Sequence, residues 1–89
     1  MLELDLGDAA ARFLRRLPPK QFGQLDRKLG ALRAEPFPHD SKKLKDSEFF
    51  RVDSGEYRII YKVFAATLFV PLIGKRNDAE VYRRLRRMQ

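Results

Sequence analysis

The sequence predicts an α+β domain: an N-terminal strand and a helical hairpin packed on an antiparallel β-sheet meander, closed by a short C-terminal helix. Apolar residues recur at helical spacing through the first third of the chain and switch to β-type runs after residue 48. Hydrophobic residues make up 44% of the 89 and aromatics 11%, enough for one packed core. A chain of this length is one domain's worth, so a single domain over residues 1–89 is expected.

The first strand is read from residues 1–6, where Leu2, Leu4 and Leu6 alternate with Glu3 and Asp5. Asp8 then reads as a helix cap, and Ala10, Phe13, Leu14 and Leu17 keep helical spacing until Pro18-Pro19 stops the helix. A second helix starts near Pro19 with an apolar stripe of Phe22, Leu25, Leu29 and Leu32, and ends before Glu35-Pro36-Phe37-Pro38. Gly30 weakens its last turn. With one apolar stripe each to bury and so little chain between them, the two helices should form an antiparallel hairpin.

Runs at 49–53, 56–64 and 67–73 come next, separated by Ser54-Gly55 and Ala65-Ala66. A two-residue loop at Ser54-Gly55 would pair Asp53 with Glu56, Val52 with Tyr57, Arg51 with Arg58 and Phe50 with Ile59. Phe50, Val52, Tyr57, Ile59, Tyr61 and Val63 then share one face, joined by Leu68, Val70 and Leu72 if the register carries across Ala65-Ala66. Ala-Ala is poor turn chemistry. Pro71 cannot donate to a ladder, which marks an edge position or a bulge. Asn77 or Asp78 should cap a last short helix over 79–88.

Composition narrows the function. Without cysteine and with one histidine, His39, which reads as an exposed loop residue, the chain offers no thiol nucleophile and no His/Cys metal site, so neither metal nor cofactor is expected. No apolar run approaches a membrane span and the N-terminus lacks the basic start of a signal peptide, so the expected location is the cytoplasm. Net charge is +7, and it is lopsided: residues 1–40 hold 7 bases and 6 acids, residues 41–89 hold 12 and 6. The basic half suits a polyanion such as nucleic acid, or simply a solvated basic surface.

The polar face of the meander carries Arg51, Asp53, Glu56, Arg58 and Lys62. In the register above the two arginines oppose each other, a repulsion that an anion between them would relieve and that Asp53 and Glu56 could equally neutralise. Strict alternation would bury Arg76, so Gly74 is expected to end the strand and redirect the chain, with Tyr82 returned towards Arg76 or simply packed in the core or on the surface. Lys42, Lys43, Lys45 and Lys75, with Arg83, Arg84, Arg86 and Arg87 on the last helix, form candidate RNA-phosphate contacts or a solvated face.

Lys43-Leu44-Lys45, Phe50-Arg51-Val52, Gly55-Glu56-Tyr57-Arg58-Ile59-Ile60-Tyr61, Lys75-Arg76 and Glu80-Val81-Tyr82, in this order and spacing, resemble the running pattern of the RelE/ParE toxin superfamily over nearly the whole chain. The resemblance implies a type II toxin held inactive by a cognate antitoxin, binding operator DNA only through that complex. Its RelE branch cleaves mRNA in the ribosomal A site; its ParE branch poisons DNA gyrase. Arg58, Arg76, Tyr82 and Arg51 match RelE-type site positions, and Lys45 the basic residue after Lys-Leu. Asp53 stands where relatives carry a second lysine, which leaves the general base to Asp53 itself or to another group and keeps open a catalytically weak member. Retention of the arginine–tyrosine set points to the ribonuclease. Such a site needs no metal: the RNA's own 2′-hydroxyl attacks the adjacent phosphate, while Arg58 and Arg76 stabilise the charge that develops.

Overall fold

The computed structural model describes residues 1–77 and 80–88. Its elements run β1 (Glu3–Leu6), α1 (Asp8–Arg15), α2 (Pro19–Ala34), β2 (Lys42–Lys43), β3 (Phe50–Ser54), β4 (Tyr57–Phe64), β5 (Thr67–Lys75) and α3 (Glu80–Met88). The sheet order is β1-β5-β4-β3-β2, a β3-β4-β5 meander flanked by β1, parallel to β5, and by the short β2, antiparallel to β3. The sheet is therefore mixed. Of the α3 cap candidates, Asp78 lies outside the described residues, as does Ala79.

Both helices bury their apolar residues against one face of this sheet. Ala10 and Leu14 of α1 and Leu25, Leu29 and Leu32 of α2 form one core with Val52, Tyr57, Ile59, Tyr61, Leu68, Val70 and Ile73. Phe22 is 44% exposed, against expectation, because α2 meets this core only from Leu25 onward. Gly30 does not interrupt α2, which continues to Ala34. Asp8 is the first helical residue rather than the cap; Gly7 caps α1, and the Asp8 carboxylate meets the positive end of the helix instead. A side chain at position 7 would be crowded, since a Cβ there would lie 3.1 Å from Pro71 Cα and 3.3 Å from its carbonyl oxygen, so the β5 backbone would have to give by a few tenths of an ångström.

The chain ends of the core are pinned by hydrogen bonds. Arg33 Nε donates to the Leu2 carbonyl at 2.6 Å and the Leu2 amide to the Arg33 carbonyl at 3.0 Å, tying β1 to the end of α2. The buried Tyr61 hydroxyl donates to the Pro36 carbonyl at 2.6 Å, fixing the segment between α2 and β2. His39, in that segment, is exposed as expected.

Between β4 and β5 the register changes once. Lys62 pairs with Phe69 but Ile60 pairs with Leu72, so Tyr61 faces two residues, Val70 and Pro71. The bulge accommodates a proline that has no amide to give, in a strand that is interior rather than at an edge. It also inverts the facing of the β5 residues beyond it. Ile73, not Leu72, joins the helix-side core, and Leu72 turns to the other face.

The β4–β5 turn is Ala65-Ala66, as expected, and both alanines take positive φ, 50° and 60°. That is the conformation a two-residue primed turn requires and alanine disfavours. Replacing the pair by Asn-Gly (Ala65→Asn with Ala66→Gly) should raise stability by about 1 kcal/mol, read as an increased urea midpoint at unchanged m-value.

Candidate active site

The β3–β4 turn decides which side chains meet on the sheet face away from α1 and α2. Its two central residues are Gly55 and Glu56, with Gly55 at φ +61°, so glycine occupies the first central position as a type II′ turn favours. The expected loop at Ser54-Gly55 is thus displaced by one residue, which moves every cross-strand partner by two. Faces are preserved and neighbours are not. Arg51 lies opposite Ile60, and the residue opposite Arg58 is Asp53.

Arg58 is the hub of the resulting cluster. Its Nε donates to Asp53 Oδ1 at 2.7 Å and its Nη2 to Asp53 Oδ2 at 3.2 Å, a two-pronged grip on the carboxylate. Its Nη1 donates to the Tyr82 hydroxyl, bringing α3 to the pair, and its Cζ lies 5.9 Å from the Tyr82 ring centroid. The Arg58 side chain is only 16% exposed. Hydrogen bonding from Arg58 holds the Asp53 carboxyl below its ordinary range against the opposing effect of burial, and the charges of Arg51 and Arg76 push the same way. The Arg58 guanidinium is in turn stabilised in its charged form, chiefly by Asp53.

Tyr82 reaches Arg58 because α3 is anchored on this face by a second, smaller core. Leu85 is buried with Phe49, Ile60 and Leu72, and Leu44, Phe69 and Tyr82 pack against them. The face expected to be polar therefore has an apolar centre, to which the parity change at Pro71 contributes Leu72. Between the 44–47 loop and α3 lies a cavity of about 240 Å³ whose lining includes Leu44, Lys45, Tyr82, Leu85 and Arg86.

The remaining candidates divide by strand parity. Lys42 pairs with Arg51 and shares the site face, whereas Lys43 pairs with Phe50 and Lys75 with Tyr57, on the helix side. Arg76 is exposed just beyond β5, its amide donating to the Glu56 carbonyl at 2.9 Å. The chain is not redirected at Gly74, which stays in the strand opposite Arg58; the bulge alone returns Arg76 to the site side. On α3, Arg84 and Arg87 line a separate hollow with Asp8 and Arg12, and Arg83 is exposed. Arg12 was not singled out from sequence, because nothing local in α1 indicates that α3 comes beside it. Among the described residues no group of three or more His, Cys, Asp or Glu could hold a metal ion, and no helix is long and apolar enough to cross a membrane.

No family model matches this sequence, and no curated protein does. A five-stranded mixed sheet with two helices on one face and a third on the other is nevertheless a fold already solved. The structure is similar to a free-state E. coli RelE toxin carrying two arginine-to-alanine substitutions, with TM-score 0.82 and 25% identity over 99% of this chain and 98% of that one. It is similar also to the RelE–RelB complex of Pyrococcus horikoshii (TM-score 0.76, 22% identity, 88% of this chain and 98% of that one). A RelBE toxin–antitoxin complex of Mycobacterium tuberculosis matches as well (TM-score 0.73, 24% identity, 84% and 98%). The fold is RelE-like, and the resemblance read from the sequence is borne out at that level.

A carboxylate held below its unfolded pKa adds stability that is present above the unfolded value and lost as pH falls through the folded one. Wild type should therefore lose stability relative to Asp53→Asn as pH drops below about 4. Because Asp53 is partly exposed, the difference should stay under about 1 kcal/mol, measured by urea unfolding across pH 2–7.

Proposed function

We propose that the protein is the toxin of a type II toxin–antitoxin pair and that it acts as a RelE-like endoribonuclease on mRNA in the ribosomal A site. The observation that carries this reading is the hydrogen-bonded set of Arg58 and Tyr82, brought together from β4 and α3, with Arg51 and Arg76 close enough to act on the same carboxylate. An arginine donating to a tyrosine hydroxyl amid further guanidinium groups is suited to stabilising a phosphate that gains charge. An antitoxin partner is supported by the RelE–RelB assemblies among the similar structures.

In the proposed reaction the 2′-oxygen of the RNA forms a bond to the adjacent phosphorus as its proton leaves. The bond from phosphorus to the 5′-oxygen breaks, and that oxygen takes up a proton. The products carry a 2′,3′-cyclic phosphate and a 5′-hydroxyl. Arg58 and Arg76 stabilise the charge that accumulates on the non-bridging oxygens, and the Tyr82 hydroxyl stands against Arg58 where it can hold or exchange the proton of the 2′-hydroxyl. Asp53 is poorly suited to be the base, because both its oxygens are engaged by Arg58 and its proton affinity is lowered. Lys42, Lys45 and Arg86 lie along the approach to this face and supply phosphate contacts. Occupation of the Arg58 fork by Asp53 is also the observation that favours the second reading, a catalytically weak member that acts through its antitoxin.

In a reconstituted translation system, wild-type protein should cut mRNA only when ribosomes are present, and Arg58→Ala and Arg76→Ala should each lose about 100-fold or more in cleavage rate. Cleavage without ribosomes, or unimpaired by either substitution, would refute the reading. Asp53→Asn should retain cleavage; its abolition with the fold intact would restore Asp53 as the base.

A further inference from the structure

The Nε–Nη2 edge of a guanidinium presents two parallel donors, which fit two oxygens of a phosphate as well as two of a carboxylate. In this protein that edge of Arg58 is fully taken by Asp53, and a third nitrogen, Nη1, is bound to Tyr82. An incoming phosphodiester therefore meets an arginine whose best-shaped donors are already engaged and a carboxylate that repels it. The surroundings make the engagement exchangeable. The Asp53 side chain is 35% exposed, and the charges of Arg51 and Arg76 already act on it, so a carboxylate released from Arg58 still sits among cations.

We propose that Asp53 occupies the anion seat of Arg58 in the free protein, and that RNA binds there by exchange, a phosphodiester taking the fork as the carboxylate leaves it. Asp53 is then a positioning residue, holding Arg58 in its bound geometry at the expense of affinity. The identity of the anion as RNA rests on the ribonuclease reading; the exchange itself does not.

Fluorescence anisotropy with a short 2′-O-methyl RNA oligonucleotide, which cannot be cleaved through its 2′-oxygens, tests this. Asp53→Asn and Asp53→Ser should each bind about tenfold more tightly than wild type, and the gain should vanish in an Arg58→Ala background. Equal or weaker binding by both variants, or the same gain without Arg58, would overturn the proposal.

A readout on wild-type protein needs no variant to fold. Added inorganic sulfate should move the NMR titration midpoint of the Asp53 carboxyl upward, towards the ordinary carboxylate range, as the carboxylate leaves Arg58. The charged and titratable groups acting on that carboxyl are Arg51 from β3, Arg58 from β4 and Arg76 beyond β5, while Tyr82 of α3 bears on it through Arg58. An unmoved midpoint at saturating sulfate would count against exchange. Exchange observed in a protein that leaves ribosome-bound mRNA intact would retire the ribonuclease reading and, with it, RNA as the anion, and leave the exchange at Arg58 standing.

Discussion

One surplus residue in β5 sets the layout of this molecule. Tyr61 faces both Val70 and Pro71, and beyond that point every residue of β5 changes face. Before the bulge β5 gives Leu68 and Val70 to the core under α1 and α2; after it, Ile73 continues that core while Leu72 crosses to the other side. Without the shift, Arg76 would point into the helix-side core and Leu85 would lose a principal neighbour. A proline in an interior strand, which on its own would cost a ladder hydrogen bond, is thereby turned into the feature that lets one strand serve two cores.

The site depends on this arrangement together with the β3–β4 turn. Gly55 places Asp53 directly across from Arg58, and the small core of Phe49, Ile60, Leu72 and Leu85 holds α3 where Tyr82 can accept from Arg58. Three elements separated in sequence thus converge on one guanidinium. Its charge is balanced by Asp53, while Arg51 and Arg76 keep the surroundings electropositive. Such a surface is compensated enough to fold and cationic enough to attract a phosphate chain, and the proposed exchange at Arg58 links the two.

Much of the fold was legible because the core obeys simple periods. Leu25, Leu29 and Leu32 keep helical spacing; Val52, Tyr57, Ile59 and Tyr61 keep strand alternation; and all of them are buried. The face of the meander was legible even though its register was not, since a shift of two leaves parity unchanged. The features that escaped were fixed by long-range geometry. Ser54-Gly55 and Gly55-Glu56 are both plausible turns locally, and the choice between them converts an expected Arg51–Arg58 opposition into an Asp53–Arg58 pair. Pro71 announced an edge position or a bulge, and the effect of the bulge on Leu72, Ile73 and Arg76 depends on which side the extra residue is absorbed. The pairing of β1 with β5 and the approach of Arg12 to Arg84 and Arg87 have no local signature at all.

The register of β4 against β5 is the point on which the whole arrangement turns, and cross-strand nuclear Overhauser contacts in the isotope-labelled protein report it directly. The result expected is a break in register: contacts between Lys62 and Phe69 on one side of Tyr61, and between Ile60 and Leu72 and between Ile59 and Ile73 on the other. An unbroken ladder, with Ile59 opposite Leu72 and Arg58 opposite Ile73, would contradict it. Arg76 would then belong to the helix side of the sheet, and the proposed phosphate site centred on Arg58 would lose its second arginine.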